Sequence, residues 1–115
     1  SAANYINKMG WNYKKPCFSE VIFTKEIEKK LFNHSARNIH DRNKISYWIK
    51  KGIIKKNKKE FYSTTDKVAL VLPDGDINSP KYLVHDNYEK ILKWNRSLRF
   101  ALSVCTLAGA IKNEI

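Results

Sequence analysis

The fold is decided by residues 81–111, which read KYLVHDNYEKILKWNRSLRFALSVCTLAGAI. The segment begins with Tyr82–Val84, whose aromatic and β-branched side chains are typical of a strand. Asp86 is followed three positions later by Glu89, a spacing that resembles the capping box at the start of a helix. We therefore expect a strand and then a helix that reaches about Trp94.

A second helix is predicted in the remainder of this segment. Asn95-Arg96-Ser97 interrupts the first helical pattern, and Ser97 is a residue type that caps helix N-termini. The apolar residues beyond it recur at helical spacing and form one stripe. They are Leu98, Ala101, Leu102, Cys105, Ala108 and Ile111.

Two further strands are predicted upstream. Val68–Leu72 is followed by the turn residues of Pro73–Asp76 and then by Tyr82–Val84, which together indicate a hairpin. Glu20–Thr24 is β-branched and aromatic, and we assign it as another strand. Lys25–Phe32 stays ambiguous because its apolar residues also fit a helical period.

Helices are expected in the middle and at the start of the chain. Ile45, Trp48 and Ile49 recur at helical spacing up to Gly52, and Ser1–Met9 can form a short helix closed by Gly10. The predicted class is α+β, with helices at both ends around a small antiparallel sheet.

The charge of the chain is strongly positive, with 22 Lys and Arg against 11 Asp and Glu. Such a balance favours anionic partners such as nucleic acid, acidic lipid or an anionic cell-wall polymer. Lys far outnumbers Arg, whereas specific base and phosphate recognition tends to use Arg. Ile45–Ile54 with Lys55–Ser63 nevertheless resembles a recognition helix and basic wing, so a winged-helix nucleic-acid-binding module is the alternative reading.

The polar residues suggest several candidate sites, none of which is complete. Asp74, Asp76 and Asn78 alternate like the start of a calcium loop, but Ser79 and His85 stand where that loop needs Gly and Glu. We therefore expect a polar turn there and no metal site. The three histidines match no ligand spacing, and no carboxylate lies in an apolar context that suits a general acid. Cys17 and Cys105 lie in no metal spacing, Cys105 falls on the apolar stripe, and their pairing stays open.

The chain resembles the lytic murein transglycosylase B family of membrane-bound enzymes. Trp94-Asn95-Arg96-Ser97 and Phe100-Ala101-Leu102-Ser103-Val104 are similar to the family's Tyr-Asn-x-Ser and Tyr-Ala-x-Ala-Val motifs. Ser1-Ala-Ala-Asn-Tyr-Ile6 with Gly10-Trp11 is similar to its Ser-x-Ala-Asn-Tyr-Leu and Gly-Trp block. These matches are collinear and span nearly the whole chain.

The resemblance implies cleavage of peptidoglycan between N-acetylmuramic acid and N-acetylglucosamine, with a 1,6-anhydromuramoyl product. In the family one glutamate acts as acid and then as base, in a Glu-Ser-x-Phe-Gly type motif upstream of the Ala-Asn-Tyr block. That motif does not occur in this sequence. We therefore expect the chain to be the C-terminal part of such an enzyme, inactive in isolation, or a sugar-binding remnant.

The resemblance also assigns residues that bind substrate, with no catalytic residue among them. Tyr5 matches a tyrosine that lines the sugar cleft, and Trp94 with Asn95 matches the family's Tyr-Asn pair. Phe100 stands where the family usually has tyrosine, so the hydroxyl is lost. Ser97 is a helix cap or a functional residue.

The remaining expectations concern organisation and environment. Residues 1–13 and 86–115 would form a lysozyme-like helical wall of the cleft, and residues 14–85 an accessory β region. No cofactor or metal is implied. We expect a monomer that binds peptidoglycan glycan strands in the periplasm or cell envelope of a Gram-negative bacterium. Any membrane anchor would lie upstream of Ser1, and no nucleic-acid partner is expected.

Overall fold

The computed structural model describes residues 15–114, and the side chains of residues 15–108. The predicted Ser1–Met9 helix lies outside these residues. The described strands are β1 Phe18–Phe23, β2 Phe32–Asn33, β3 Asn43–Lys44, β4 Ile53–Lys55, β5 Lys67–Val71 and β6 Lys81–Val84. The helices are α1 Ile45–Lys50, α2 Asp86–Trp94 and α3 Leu98–Glu114, and a 3-10 turn spans Lys29–Leu31.

The strands of the described region form one sheet in the order β2-β5-β6-β1-β4, and β3 pairs with β5 off this path. The predicted hairpin is confirmed, since β5 and β6 pair antiparallel with Ala69 opposite Val84 and Val71 opposite Tyr82. The sequence predicted an antiparallel sheet, and one pair of strands departs from this prediction: β2 runs parallel to β5. The ambiguous Lys25–Phe32 segment contains the 3-10 turn and the start of β2.

The sheet is buried on both faces. Along β5 and the residue after it, Val68, Leu70 and Leu72 belong to one core cluster, which we call the α1 core because it contains Trp48. The alternate residues Ala69 and Val71 belong to a second cluster, the α2–α3 core. Successive side chains of a strand point to opposite faces, so helix α1 lies on one side of the sheet and α2 and α3 on the other.

Helix α1 ends where predicted and is anchored in the α1 core. Ile45 and Trp48 are buried, and the indole Nε1 of Trp48 donates a hydrogen bond to the carbonyl of Val68 at 3.0 Å. Gly52 follows at φ +99°, a conformation suited to glycine, and its carbonyl accepts from the amide of Thr24. A six-residue helix that buries these side chains leaves the winged-helix alternative without support.

Helices α2 and α3 meet at a corner closed by hydrogen bonds. The Tyr88 hydroxyl donates to the carbonyl of Leu98 at 2.9 Å. Ser97 Oγ accepts from the amide of Phe100 at 3.1 Å, which confirms Ser97 as the cap of α3. Together the two contacts fix the angle between the helices and hold the residues between them at the surface.

The capping box predicted at Asp86 and Glu89 is wrong. Asp86 is the first residue of α2, His85 occupies the cap position, and no side chain caps the helix there. The Glu89 carboxylate instead accepts hydrogen bonds from the guanidinium of Arg42. Glu89 therefore pairs with Arg42, which is distant in the sequence, and does not accept hydrogen bonds from the helix backbone as the spacing had predicted.

A disulfide joins Cys17 to Cys105, whose Cα atoms are 5.9 Å apart. Cys105 lies on the buried stripe of α3 between Ala101 and Ala108, as the periodicity predicted. The bond ties α3 to the segment just before β1 across 88 residues of sequence. It settles the pairing that the sequence left open.

Within residues 15–114, no helix is long and apolar enough to cross a membrane. The α+β class is confirmed: the helices and small sheet match the lysozyme-like fold of the solved relatives reported below. The division into a helical wall and an accessory β region remains a prediction.

Candidate functional site

Two of the predicted sugar-binding rings lie side by side at the corner between α2 and α3. Trp94 ends α2, Phe100 lies in the first turn of α3, and their ring centroids are 5.8 Å apart at an interplanar angle of 35°. The Trp94 side chain is 58% exposed, whereas Phe100 is half-buried against the α2–α3 core. We call this pair, with Asn95, the aromatic platform.

Asn95 occupies the turn between the two rings. Its backbone is extended at φ −141° and ψ 118°, and its amide donates to the carbonyl of Ile91 at 2.9 Å. The residue is exposed beside Trp94. Of the four predicted substrate-binding residues, the structure thus brings Trp94, Asn95 and Phe100 to one corner, and Tyr5 lies outside the described residues.

A polar pocket of about 520 Å³ lies along one face of α2. Asp86, Glu89 and Lys93 line it from one face of the helix, at the i, i+3 and i+7 spacing that places side chains together. The remaining lining residues are Lys15, Arg42, Asp66, Lys67, His85 and Asn87. The pocket and the aromatic platform therefore share helix α2, and Lys93 of the pocket directly precedes Trp94 of the platform.

His85 is the most buried ionisable group of this pocket, at 3% exposure. Its Nδ1 lies 3.5 Å from Oδ2 of Asp66, outside hydrogen-bond geometry, and is a buried nitrogen without a hydrogen-bond partner in the described region. Burial lowers the pKa of His85, and the Asp66 carboxylate partly opposes this shift. Sequence reasoning gave His85 no role, and no spacing signal marked it.

Carboxylates of the polar pocket are engaged in ion pairs. The two least exposed in ion pairs are Glu89 and Asp66, at 17% and 19% side-chain exposure, and they pair with Arg42 and Lys15.

The Asp74–Asn78 segment forms a polar turn. The Asp76 carboxylate accepts from the amide of Asn78 at 3.0 Å, and Asp74 pairs with Arg99 of α3. Among residues 15–114 there is no group of three or more histidine, cysteine or acidic side chains placed to hold a metal ion. The alternating carboxylates therefore serve the hairpin and its contact with α3.

A family model described as a transglycosylase SLT domain matches residues 1–109. No match was found among curated proteins. Three solved structures illustrate the similarity at the level of fold. SltB3 from Pseudomonas aeruginosa, in complex with NAG-anhNAM-pentapeptide, has a TM-score of 0.75 and 29% identity over 96% of this chain and 28% of that chain.

The other two structures are more distant and show the fold alone. Soluble lytic transglycosylase SltB1 from Pseudomonas aeruginosa has a TM-score of 0.69 and 21% identity over 99% of this chain and 35% of its own. Escherichia coli lytic transglycosylase Slt35, in complex with calcium, has a TM-score of 0.62 and 16% identity over 95% and 32%. The chain thus spans about a third of the length of these relatives.

Proposed function

The chain belongs to the transglycosylase SLT domain family, and from this premise we propose that it is part of a peptidoglycan lytic transglycosylase of the membrane-bound B type. The observation that carries the proposal is the aromatic platform, in which Trp94, Asn95 and Phe100 meet at one exposed corner. It is supported by SltB3, which was solved with NAG-anhNAM-pentapeptide and with NAG-NAM-pentapeptide.

The platform has the chemistry that binds a sugar ring. The exposed face of an indole packs against the apolar C–H face of a pyranose, and Trp94 presents such a face. The Asn95 amide can donate to and accept from the N-acetyl and hydroxyl groups of the same sugar. Phe100 supports the indole from inside, since its ring is half-buried beneath the corner.

The proposed reaction is an intramolecular transfer without water. The bond between C1 of N-acetylmuramic acid and O4 of N-acetylglucosamine breaks, and the 6-hydroxyl oxygen of the muramic acid bonds to C1. A glutamate first gives its proton to the departing O4, and then takes the proton of the 6-hydroxyl, which restores the glutamic acid. This one-carboxylate scheme differs from the two-carboxylate scheme of most glycosidases.

We propose that the isolated 115-residue chain binds glycan and does not cleave it. Its 11 acidic residues all lie between Glu20 and Glu114, and none belongs to the Glu-Ser-type motif of the family. The two least exposed in ion pairs, Glu89 and Asp66, pair with Arg42 and Lys15. The site of action would be the periplasm or cell envelope, with the chain as a monomer.

Purified peptidoglycan sacculi test the proposal directly. The isolated chain is sedimented with sacculi at about 150 mM salt, and released muropeptides are separated by chromatography. We expect wild-type chain to bind and Trp94→Ala to bind about tenfold more weakly, because stacking area is lost. The control is Tyr62→Ala, which removes another exposed ring, 59% exposed, outside the platform.

Two results would contradict the proposal. Equal binding by Trp94→Ala and wild type would remove the platform from sugar recognition. Release of 1,6-anhydromuropeptides by the isolated chain would show that one of its own carboxylates is the catalytic acid.

A further inference from the structure

An apolar groove of about 420 Å³ lies along the edge strand β4, on the side of the sheet that carries α1. Its apolar lining comes from Ile49, Ile53, Ile54 and Phe61. Its rim carries Lys55, Lys58 and Lys59, with Glu60 beside them. The groove therefore combines an apolar floor with a cationic edge, and none of its residues belongs to the aromatic platform.

The basic rim is an ordered turn. The amide of Lys58 donates to the carbonyl of Lys55 at 3.0 Å, and the amide of Lys59 donates to Oδ1 of Asn57 at 2.9 Å. Lys58 adopts φ +66°, a left-handed conformation that residues other than glycine seldom adopt. These hydrogen bonds hold the backbone of the turn in one geometry beside the groove.

Two lysines of the rim form no ion pair within the described residues. Lys56 pairs with Glu20 at 3.0 Å, but no carboxylate of the described residues pairs with Lys58 or Lys59. Ile49 of the groove is 41% exposed, and Tyr62, which follows the lining residue Phe61 in the sequence, is 59% exposed. An occupant must therefore offer negative charge and apolar groups together.

We propose that this surface docks on an anionic phospholipid membrane. Lipid phosphates would meet Lys58 and Lys59, while Ile49 and Tyr62 enter the boundary between headgroups and acyl chains. Lysine and tyrosine suit this interface because each has an apolar body and a polar end. Duplex nucleic acid supplies phosphates for the lysines but no apolar group for the groove. An anionic membrane supplies both, so it matches the lysine rim and the apolar groove together.

The placement also suits a protein that acts on a polymer near a membrane. Ile53 belongs to the α1 core and the aromatic platform packs on the α2–α3 core, and these cores lie on opposite faces of the sheet. A membrane held at the groove would therefore leave the aromatic platform facing away from the lipid. The contact is a surface contact and requires no membrane span.

Vesicle sedimentation tests this inference without any glycan. The wild-type chain is mixed with vesicles of phosphatidylcholine alone or with about one third phosphatidylglycerol, at low salt and at about 150 mM salt. We expect binding to the anionic vesicles only. Lys58→Glu with Lys59→Glu should weaken it at least about tenfold, since each lysine near an anionic surface contributes attraction.

Two matched variants distinguish binding through this defined surface from binding through the overall positive charge of the chain. Lys93→Glu with Arg96→Glu makes the same change in net charge at α2, on the other side of the sheet, and should change binding less than about twofold. Ile49→Ser with Tyr62→Ser removes only the apolar part and should abolish the binding that persists at 150 mM salt. Circular dichroism establishes that each variant is folded.

Several outcomes would overturn the proposal. They are equal binding to neutral and anionic vesicles, no binding to either, or an equal loss in both charge-reversal variants. Binding of soluble polyglutamate as tightly as vesicles would instead identify an acidic-polymer surface. Each outcome is independent of whether the chain binds sacculi, so failure here leaves the proposed function standing.

Discussion

Arg42 and Glu89 are 47 residues apart in the sequence and form a forked ion pair in the structure. Nε of Arg42 donates to both carboxylate oxygens of Glu89, at 3.0 and 2.9 Å, and Nη2 donates to Oε1 as well. The pair joins the residue before β3 to the first turn of α2. Its hydrogen bonds raise the pKa of the Arg42 guanidinium. The orientation of α2, which carries Trp94, thus depends on a contact with the β region.

Replacement of Glu89 by alanine should destabilise the fold by about 1–3 kcal/mol, the usual range for hydrogen bonds to charged groups. The free energy of unfolding would be measured by urea titration. Arg42→Ala and the double variant complete a mutant cycle, in which we expect a coupling of at least about 1 kcal/mol. Glu26→Ala, an exposed carboxylate outside this contact, is the control. A coupling near zero would mean that the fork contributes nothing to stability.

Removal of the disulfide should have a larger effect. Cys17 and Cys105 close a loop of 88 residues, and loss of such a cross-link costs about 2–5 kcal/mol because the unfolded chain gains freedom. The variant Cys17→Ser with Cys105→Ser should lose this amount in urea titration. Wild type unfolded in the presence of dithiothreitol should match the variant. A variant as stable as the oxidised wild type would contradict the expectation.

Acid should destabilise the protein through His85. Its folded pKa is lowered by burial, with Lys15 lowering it further and Asp66 opposing, so the unfolded state takes up the proton first. Stability is therefore complete above the unfolded pKa of about 6.5 and falls as the pH drops below it, by up to about 1.4 kcal/mol per pH unit. Urea midpoints between pH 7.5 and 5 measure the slope. His85→Gln should flatten it.

Local patterns predicted the elements that are long and regular. The strand near residues 20–24 and the β5–β6 hairpin were identified from residue types and turn residues, and α1 and α3 from periodicity; the structure confirms them. Helix α2 was identified from the spacing of Asp86 and Glu89, and it is present although no capping box forms. Strands β2, β3 and β4 have only two or three residues, too few to show a period. They exist because distant partners pair with them, as Phe32 does with Leu70.

Prediction of the candidate site from the sequence was limited in the same way, by contacts between residues that are distant in the chain. The predicted capping box does not form, because the Glu89 carboxylate pairs with Arg42. The pairing of Cys17 with Cys105 could not be predicted, because sequence spacing alone gives no distance between them. Trp94 and Phe100 were chosen from the resemblance to a family, since nothing in their spacing across two helices predicts that their rings meet. His85 was passed over because its burial depends on the fold around Asp66.

Gly52 provides a test of backbone strain at the end of α1. It adopts φ +99°, and an added Cβ would lie 2.9 Å from both Cγ of Lys25 and Oγ1 of Thr24. Gly52→Ala should therefore cost about 2–4 kcal/mol, from strain and close approach together. Gly75→Ala is the matched control, with φ +68° but its nearest neighbour at 3.7 Å, and should cost only about 1 kcal/mol. Equal losses of unfolding free energy in the two variants would show that close approach to Thr24 and Lys25 has no effect on stability.

Phe100→Tyr tests the aromatic platform by addition instead of removal. The family resemblance places a tyrosine at this position, so a restored hydroxyl should hydrogen-bond the bound sugar and tighten sacculus binding about two- to tenfold. Phe18→Tyr is the control, because it adds the same hydroxyl to another half-buried ring, one that packs edge-on against Tyr82. Urea titration of both variants separates binding from stability. If Phe100→Tyr binds no better than Phe18→Tyr while both remain folded, position 100 supports Trp94 only through packing and does not contact the glycan.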